Sequence, residues 1–524
     1  MGILKLSGYT VPELIGGAVV LSVLYALTLA VYRLFFHPLA KIPGAPLSKI
    51  TYNREVYYAF FRNGRWPQQY SKDHEKYGPI IRLNPDEVHI SDPEFYNSIY
   101  YMGTKFTKPG FFYGAWGIKS IMTAQSNSVH RFLRAPLEGL FARPSILAMN
   151  PMLQEKVDYL VDRATKVSNT SNGKLNIHAV TRAFTVDVIM EMCIGKGLDM
   201  LRREDLGKPY LDAVTGKSVL LWVADMYLSR WLKVDAPISR TVRLIPRKWI
   251  KKMEPTDIGF FYLYLMGEDE VTRLASLSPE ELEKETYGPG KRTNIFKELL
   301  KPGIREKRNL SLEYMVDESF FILAAGLETT ACTMTKTIYN ILRNPDVHEK
   351  LFQELKEAFP DINTPMPYAQ LDCLPYFSAC IKEGLRCGDA VPMRLPRVVP
   401  EGGIKYKDYY LPAGTMVSMS AYMQHRDATV FPDPEKFDPS RWLGEEGLQR
   451  ETYLVALSKG SRSCLGRQLA YAELYMAIAA LFRRFEMKLV DVDDKDMVLQ
   501  HIYIGSFHSN SQRPCKVTLV KRTE

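Results

Sequence analysis

From Leu14 to Phe36 the chain reads LIGGAVVLSVLYALTLAVYRLFF, with no charge before Arg33. Such a run supplies enough helix to cross a hydrocarbon core of about 30 Å, so the chain is expected to start in a membrane. A cleaved signal peptide is the competing reading. The stretch is long for one, Arg33 and aromatic residues follow it, and no clear small-residue cleavage site is present. Lys5 is the only base before the span, whereas Arg33, Lys41, Lys49 and Arg54 follow it closely, so the positive-inside rule leaves the body of the chain in the cytosol. Pro38, Pro43, Gly44 and Pro46 cannot continue the helix. They predict a stiff hinge over residues 37–50, between an anchor at 1–36 and a globular body at 51–524.

Elsewhere the composition is that of an ordinary soluble domain, with 46% hydrophobic and 24% charged residues among 524, which excludes a disordered or polytopic chain. The net charge of +9 comes from scattered bases, so no nucleic-acid partner is expected. An anionic membrane surface or an acidic protein suits it better. Seven cysteines, an odd number without paired spacing, argue for a reducing compartment and for mostly buried, unreactive thiols.

No internal repeat or long low-complexity linker interrupts the body, which reads as one large, mainly α domain with a small β component. The clearest helical pattern runs from Ser311 to Leu342 and stops at Pro345, and others are expected at 128–141, 180–194, 345–358, 373–387 and 466–484. Short strands are expected at 79–83, 87–91, 395–399 and 414–418. The polar stretch 267–293 reads as an exposed connection.

Three motifs carry chemistry. In LSKGSRSCLG, Cys464 stands just before a helical pattern, where the helix dipole and amide donors stabilise a thiolate and tune a bound metal. Gly460 and Gly466 let the backbone approach a flat ligand, and Arg462 can pair with a ligand carboxylate. Glu383 and Arg386 are spaced i, i+3 on a helix and can form a charge pair, although such pairs are usually solvated decoration. Ala325-Gly-Leu-Glu-Thr-Thr330 lies mid-way along the long helix, where Gly326 and paired threonines can loosen the backbone. Glu328 beside Thr329 also makes an acid–hydroxyl pair able to relay protons.

The Cys464 loop resembles the cytochrome P450 haem-binding signature, Phe-x-x-Gly-x-Arg-x-Cys-x-Gly, with Leu457 in the aromatic position. Glu383-Gly-Leu-Arg386, Pro439-Ser440-Arg441-Trp442 and the Gly-x-Glu-Thr groove are similar to further motifs of that family, in the family's order. Ser440 and Trp442 depart from its Pro-Glu-Arg-Phe-like pattern. The resemblance implies haem b on Cys464, O2 activated beside Glu328 and Thr329, and a structural role for Glu383, Arg386 and Arg441. It also implies propionate partners at Arg462, His130, Arg134 and Arg397.

A haem thiolate favours O–O cleavage. The expected reaction is therefore insertion of one oxygen atom into a lipophilic small molecule, in the manner of fungal members that make terpenoids or other secondary metabolites. No dinucleotide fingerprint or iron–sulfur cluster spacing is visible, so NADPH electrons should arrive through a membrane-bound reductase. The resemblance places such a protein in the endoplasmic reticulum membrane, with its catalytic part in the cytosol. The aromatic stretch Phe106–Trp116 falls where the family covers its substrate pocket. Two other readings stay open at this stage: a haem-thiolate isomerase or dehydratase needing no reductase, and a non-catalytic haem sensor.

Overall fold

A computed structural model describes residues 5–6, 9–170, 173–208, 211, 217–232, 234, 236–242, 244–254, 259–287, 293–497, 499–502, 506–508 and 515–523. In chain order the principal helices are α1 (Val11–Val31), α2 (Asn127–Glu138), α3 (Asn150–Ser168), α4 (Ile177–Ile194) and α5 (Lys217–Leu232). They continue with α6 (Phe260–Ala275), α7 (Leu312–Arg343), α8 (Pro345–Ala358), α9 (Pro375–Cys387) and α10 (Arg467–Arg484). The two larger sheets use β1 (Ile80–Asn84), β2 (Glu87–Ile90), β3 (Lys174–Asn176), β4 (Arg397–Val398), β5 (Met416–Ser418), β6 (Phe485–Val490) and β7 (Lys516–Lys521). The chain divides into two compact units, one of Met1–Asp92 with Leu395–Met419, the other of Pro93–Arg394 with Ser420–Glu524.

The smaller unit holds a four-stranded sheet in the order β1-β2-β5-β4. β1 and β2 pair antiparallel, and β2 runs parallel to β5. Every residue of β1 and β2 is buried. The span Pro12–Phe36 includes a window of mean hydropathy 2.3 with no buried residue, which is what a lipid-facing helix requires. Its last turn is welded to the sheet. The fully buried Arg82 donates to the Arg33 carbonyl at 2.7 Å and, through Nε at 3.1 Å, to the Pro85 carbonyl, while its amide reaches Pro43 at 2.6 Å. Arg33 in turn donates to the Ile50 carbonyl at 2.6 Å. Gly44 is required in this hinge: φ is +152°, and a Cβ there would lie 2.7 Å from the Arg82 oxygen.

The larger unit is organised around α7. Ser311 caps it by accepting the Tyr314 amide at 3.1 Å, and Pro345 starts the next helix instead of prolonging this one. Helices α4, α6, α9 and α10 pack along it. Two glycines permit this approach: a Cβ at Gly326 would lie 2.7 Å from Ile189 of α4, and one at Gly384 of α9 would lie 2.1 Å from Thr337 of α7. α10 is buried almost throughout from Leu469 to Arg483. Each fully buried aromatic such as Phe377 or Phe482 contributes about 1.5–3 kcal/mol.

The expected helices and strands fall within a few residues of the observed ones, except over 267–293. There α6 runs on to Ala275 and a capped helix occupies Pro279–Lys284, with Val271, Leu274, Leu282 and Tyr287 buried. The polar residues misled because they work inside the unit: Glu270 and Glu285 pair with Arg273, each at 2.9 Å. Residues 288–292 of that stretch lie outside the described residues.

Candidate active site

Gly460–Arg462 form a single 3-10 turn, after which the chain extends through Ser463 and enters α10 at Gly466. The Cys464 amide donates to the Leu457 carbonyl at 2.9 Å and the Ser463 amide to Gly460 at 3.1 Å, so the loop folds back on itself beneath the sulfur. Gly460 has φ +71°, and a Cβ there would lie 2.4 Å from the Tyr101 oxygen. Its freedom is needed for this packing as well as for any ligand.

Cys464 is exposed. Desolvation pushes its thiol up, opposed by the Gly466 amide and by the charges of Arg467 and Arg134. A thiol in that position keeps its proton unless a metal cation replaces it. The donor set therefore fits a soft or borderline metal held by one sulfur and tuned by one amide.

Two of the expected cofactor-binding residues, Arg462 and Arg134, link this loop to α2. Arg462 donates to the carbonyls of Ala124 at 2.7 Å, Ser126 at 3.0 Å and Gln125 at 3.1 Å, and to the Asn127 side chain at 2.9 Å. It thereby ties the Cys loop to the start of α2. One face of α2 carries His130, buried, and Arg134, which donates to the Ser463 carbonyl at 2.7 Å and to Glu138 at 2.8 Å. Arg397 belongs to the smaller unit, where it is buried on β4 and donates to the Pro396 carbonyl at 3.1 Å.

In the middle of α7 the burial lapses: Ala325 is exposed, and Ala324, Gly326, Glu328 and Thr329 are half-buried, within a helix buried on either side. The Thr329 hydroxyl donates to the Ala325 carbonyl at 2.9 Å, the back-bonding expected of such a threonine. Glu328 turns the other way, to α4. Its carboxylate lies 2.8 Å from Arg182 Nε and 3.3 Å from His178 Nε2, and Cys332 donates to it at 3.5 Å. Burial alone would raise its pKa, but Arg182 and His178 outweigh that and hold it at about 2. His178 and Arg182 were not singled out in the sequence, where their i, i+4 spacing is the sole signal.

Glu383 and Arg386 form a bidentate pair, 2.8 Å on each arm, with both side chains fully buried. Arg441 stands 3.4 Å from the same carboxylate, and the Asp438 amide donates to it at 2.9 Å. The indole N–H of Trp442 is a further donor, at 2.9 Å. Trp442, which departs from the family pattern, thus contributes to the network instead of weakening it. Arg386 also donates to the carbonyls of Pro434, His425 and Lys436 at 2.7, 2.9 and 3.1 Å, which pins the meander before the Cys loop to α9.

A thiolate loop opening a buried helix, a charged clamp upstream of it and a long helix whose burial lapses at an acid–hydroxyl pair define a haem-thiolate protein. The family model for cytochrome P450 matches residues 56–511. The chain belongs to the cytochrome P450 family and is a P450 monooxygenase. It is 34% identical over 507 residues to cytochrome P450 monooxygenase macH of Penicillium terrestre, covering 94% of this chain and 95% of that protein. It is similar to cytochrome P450 monooxygenase BOT1 of Botryotinia fuckeliana, 33% identical over 90% of each chain. Fusicoccadiene C-8 hydroxylase of Alternaria brassicicola is 33% identical, over 91% of each.

Proposed function

We propose that the protein hydroxylates or epoxidises a lipophilic terpenoid or polyketide in fungal secondary metabolism, with Cys464 as iron ligand. One atom of O2 enters the substrate and the other leaves as water, at the cost of two electrons from NADPH and two protons. When bound, haem b supplies the iron that activates O2, and electron release from its thiolate favours O–O cleavage. Arg462, His130, Arg134 and Arg397 would meet the propionates. Gly460 and Gly466 shape the loop, and Glu383, Arg386 and Arg441 keep the segment before it in place.

Thr329 Oγ1 is proposed to pass protons into the groove. Glu328 would resupply it once its carboxylate leaves Arg182. The observation that carries the reading is the Cys464 sulfur, held under the Gly466 amide with Arg467 and Arg134 beside it.

An apolar substrate is supported by the aromatic residues upstream of the groove. Trp116 meets Phe321 edge-to-face and Phe320 at a tilt, with ring centroids 5.0 and 6.4 Å away, and Phe112 and Tyr113 are buried near it in the chain. The name of the Alternaria relative, a diene hydroxylase, agrees with a hydrocarbon-like substrate. Electrons would come from a membrane-bound NADPH–P450 reductase docking on the basic face around the Cys loop.

We further propose that residues 1–36 anchor the protein in the endoplasmic reticulum membrane as a single pass, with the hinge at 37–50 and a catalytic domain at 51–524 facing the cytosol. Trp231, Leu244 and Trp249, which are 82%, 81% and 61% exposed, lie in a stretch with Arg240, Arg247, Lys248, Lys251 and Lys252 that suits an interfacial contact.

The test is the ferrous carbon monoxide difference spectrum of the purified protein beside Cys464→Ser. A strongly red-shifted Soret band in the wild type, lost in the variant, establishes the ligand. A band of histidine-ligated type in intact protein overturns the assignment.

A further inference from the structure

Helix α10 carries a buried acid that the proposed reaction does not use. Glu473 is 2% exposed, with Ala472, Leu474, Met476 and Ala477 of the same helix also buried. Its carboxyl group contacts the Thr330 hydroxyl of α7, and its Oε1 has no hydrogen-bond partner among the described residues. An ionised carboxylate so placed would need a cation. Several charged groups on the elements packed against α10 are engaged elsewhere. Lys156 of α3 lies 3.6 Å from Glu191, and Arg143, in the short helix before α3, lies 2.6 Å from Asp372. Glu354 of α8 accepts the Phe377 amide at 2.7 Å, and Glu328 of α7 faces Arg182 at 2.8 Å. On α10 itself, Arg483 donates to the Phe359 carbonyl at 2.9 Å. Burial accordingly pushes Glu473 well above the usual carboxylate range.

Two acids thus flank one turn of α7 in opposite states. Glu328 is ionised towards α4, and Glu473 meets the same turn from α10 at Thr330.

We infer that Glu473 holds a proton between α7 and α10 and, through Thr330, is the positioning residue that sets the oxygen-side helix against the helix following Cys464. This concerns helix packing and is independent of the proposed proton route and substrate. A neutral acid offers a hydrogen bond without a buried charge, so the two helices meet closely where a carboxylate would draw in water.

The test uses the full-length, haem-loaded protein. Difference infrared spectroscopy at pH 7.5 should show a carboxylic-acid C=O band that Glu473→Gln removes; a Glu473→Gln spectrum missing only carboxylate bands overturns the inference. Calorimetry gives an independent reading. The native group keeps its proton while the unfolded one ionises above the ordinary value of 4.5. Its stabilising effect is therefore complete below that value and lost as pH rises. From pH 5.5 to 7.5 the Tm of Glu473→Gln should gain on the wild type by roughly one degree per pH unit. A constant difference refutes the bound proton.

Positioning is read from the temperature at which the thiolate carbon monoxide band is lost. Glu473→Gln, which keeps a neutral hydrogen-bonding end, should retain that temperature better than Glu473→Leu, and equal losses overturn the role. If Glu473→Leu takes up no haem, Thr330→Ala tests the same contact from α7. An unchanged band-loss temperature in Thr330→Ala then counts against it.

Discussion

Glu328 and Thr329 are neighbours in sequence that diverge in space, one fixed to α4 by a cation, the other folded onto its own helix. Thr329→Ala should leave NADPH oxidation running while product per NADPH falls by roughly tenfold to a hundredfold, measured as peroxide against product. Full coupling in that variant would remove Thr329 from the proton route. Arg182→Leu strands the Glu328 carboxylate beside His178 and should cost about 3–5 kcal/mol of stability at pH 7. The sign follows from the carboxylate being depressed from 4.5 to about 2: its contribution is present above 4.5 and lost as pH falls through 2. The gap between Arg182→Leu and wild type should therefore narrow as melts are taken from pH 6 towards pH 3. The acid–hydroxyl pair was legible in sequence because its members are adjacent. Arg182 was not, because nothing local tells a helical arginine which acid, far along the chain, it will meet.

At the level of elements, the Glu383 network joins α9 to the meander before the Cys loop through donors from Arg386, Asp438 and Trp442 and through the charge of Arg441. Trp442→Phe removes only the indole donor from a buried charge and should cost about 1–3 kcal/mol while haem content holds, as read by thermal melts and the Soret absorbance. Gly460→Ala should do more harm than its size suggests. The loop needs φ +71° there and abuts the Tyr101 carbonyl, so haem retention should fall along with stability. The long helix and its flanking helices were readable from periodicity and proline stops. Helix α6 was not, because Gly267 and its run of charges imitate a loop. The burial of Val271, Leu274, Leu282 and Tyr287 that makes 267–287 part of the unit is masked in sequence by the charged residues between them. β6 escaped for a different reason: its alternation, with Phe485 and Met487 buried between exposed Glu486 and Lys488, follows α10 directly, with no Gly or Pro to mark a new element.

For the molecule as a whole, the apolar start and the basic, aromatic stretch at 231–253 suggest two kinds of membrane contact. Deleting residues 1–36 should release most of the protein from membranes into a fraction that rebinds anionic vesicles at low salt. Trp231→Ala with Trp249→Ala should abolish the rebinding. Undiminished binding of the truncated chain through a high-salt wash would place the main attachment elsewhere. The apolar N-terminal helix was plain from hydropathy alone. Its true fastening, the buried Arg82 grasping the Arg33 carbonyl, joins residues far apart in the chain. That single grip removes the swivel between α1 and the sheet beside it. A spin label at the end of α1 and another on β1 should report one common rotational correlation time in a bilayer. The tilt that lipid thickness imposes on the helix is then inherited by the sheet, so a thicker membrane would turn this part of the enzyme instead of merely stretching its stalk.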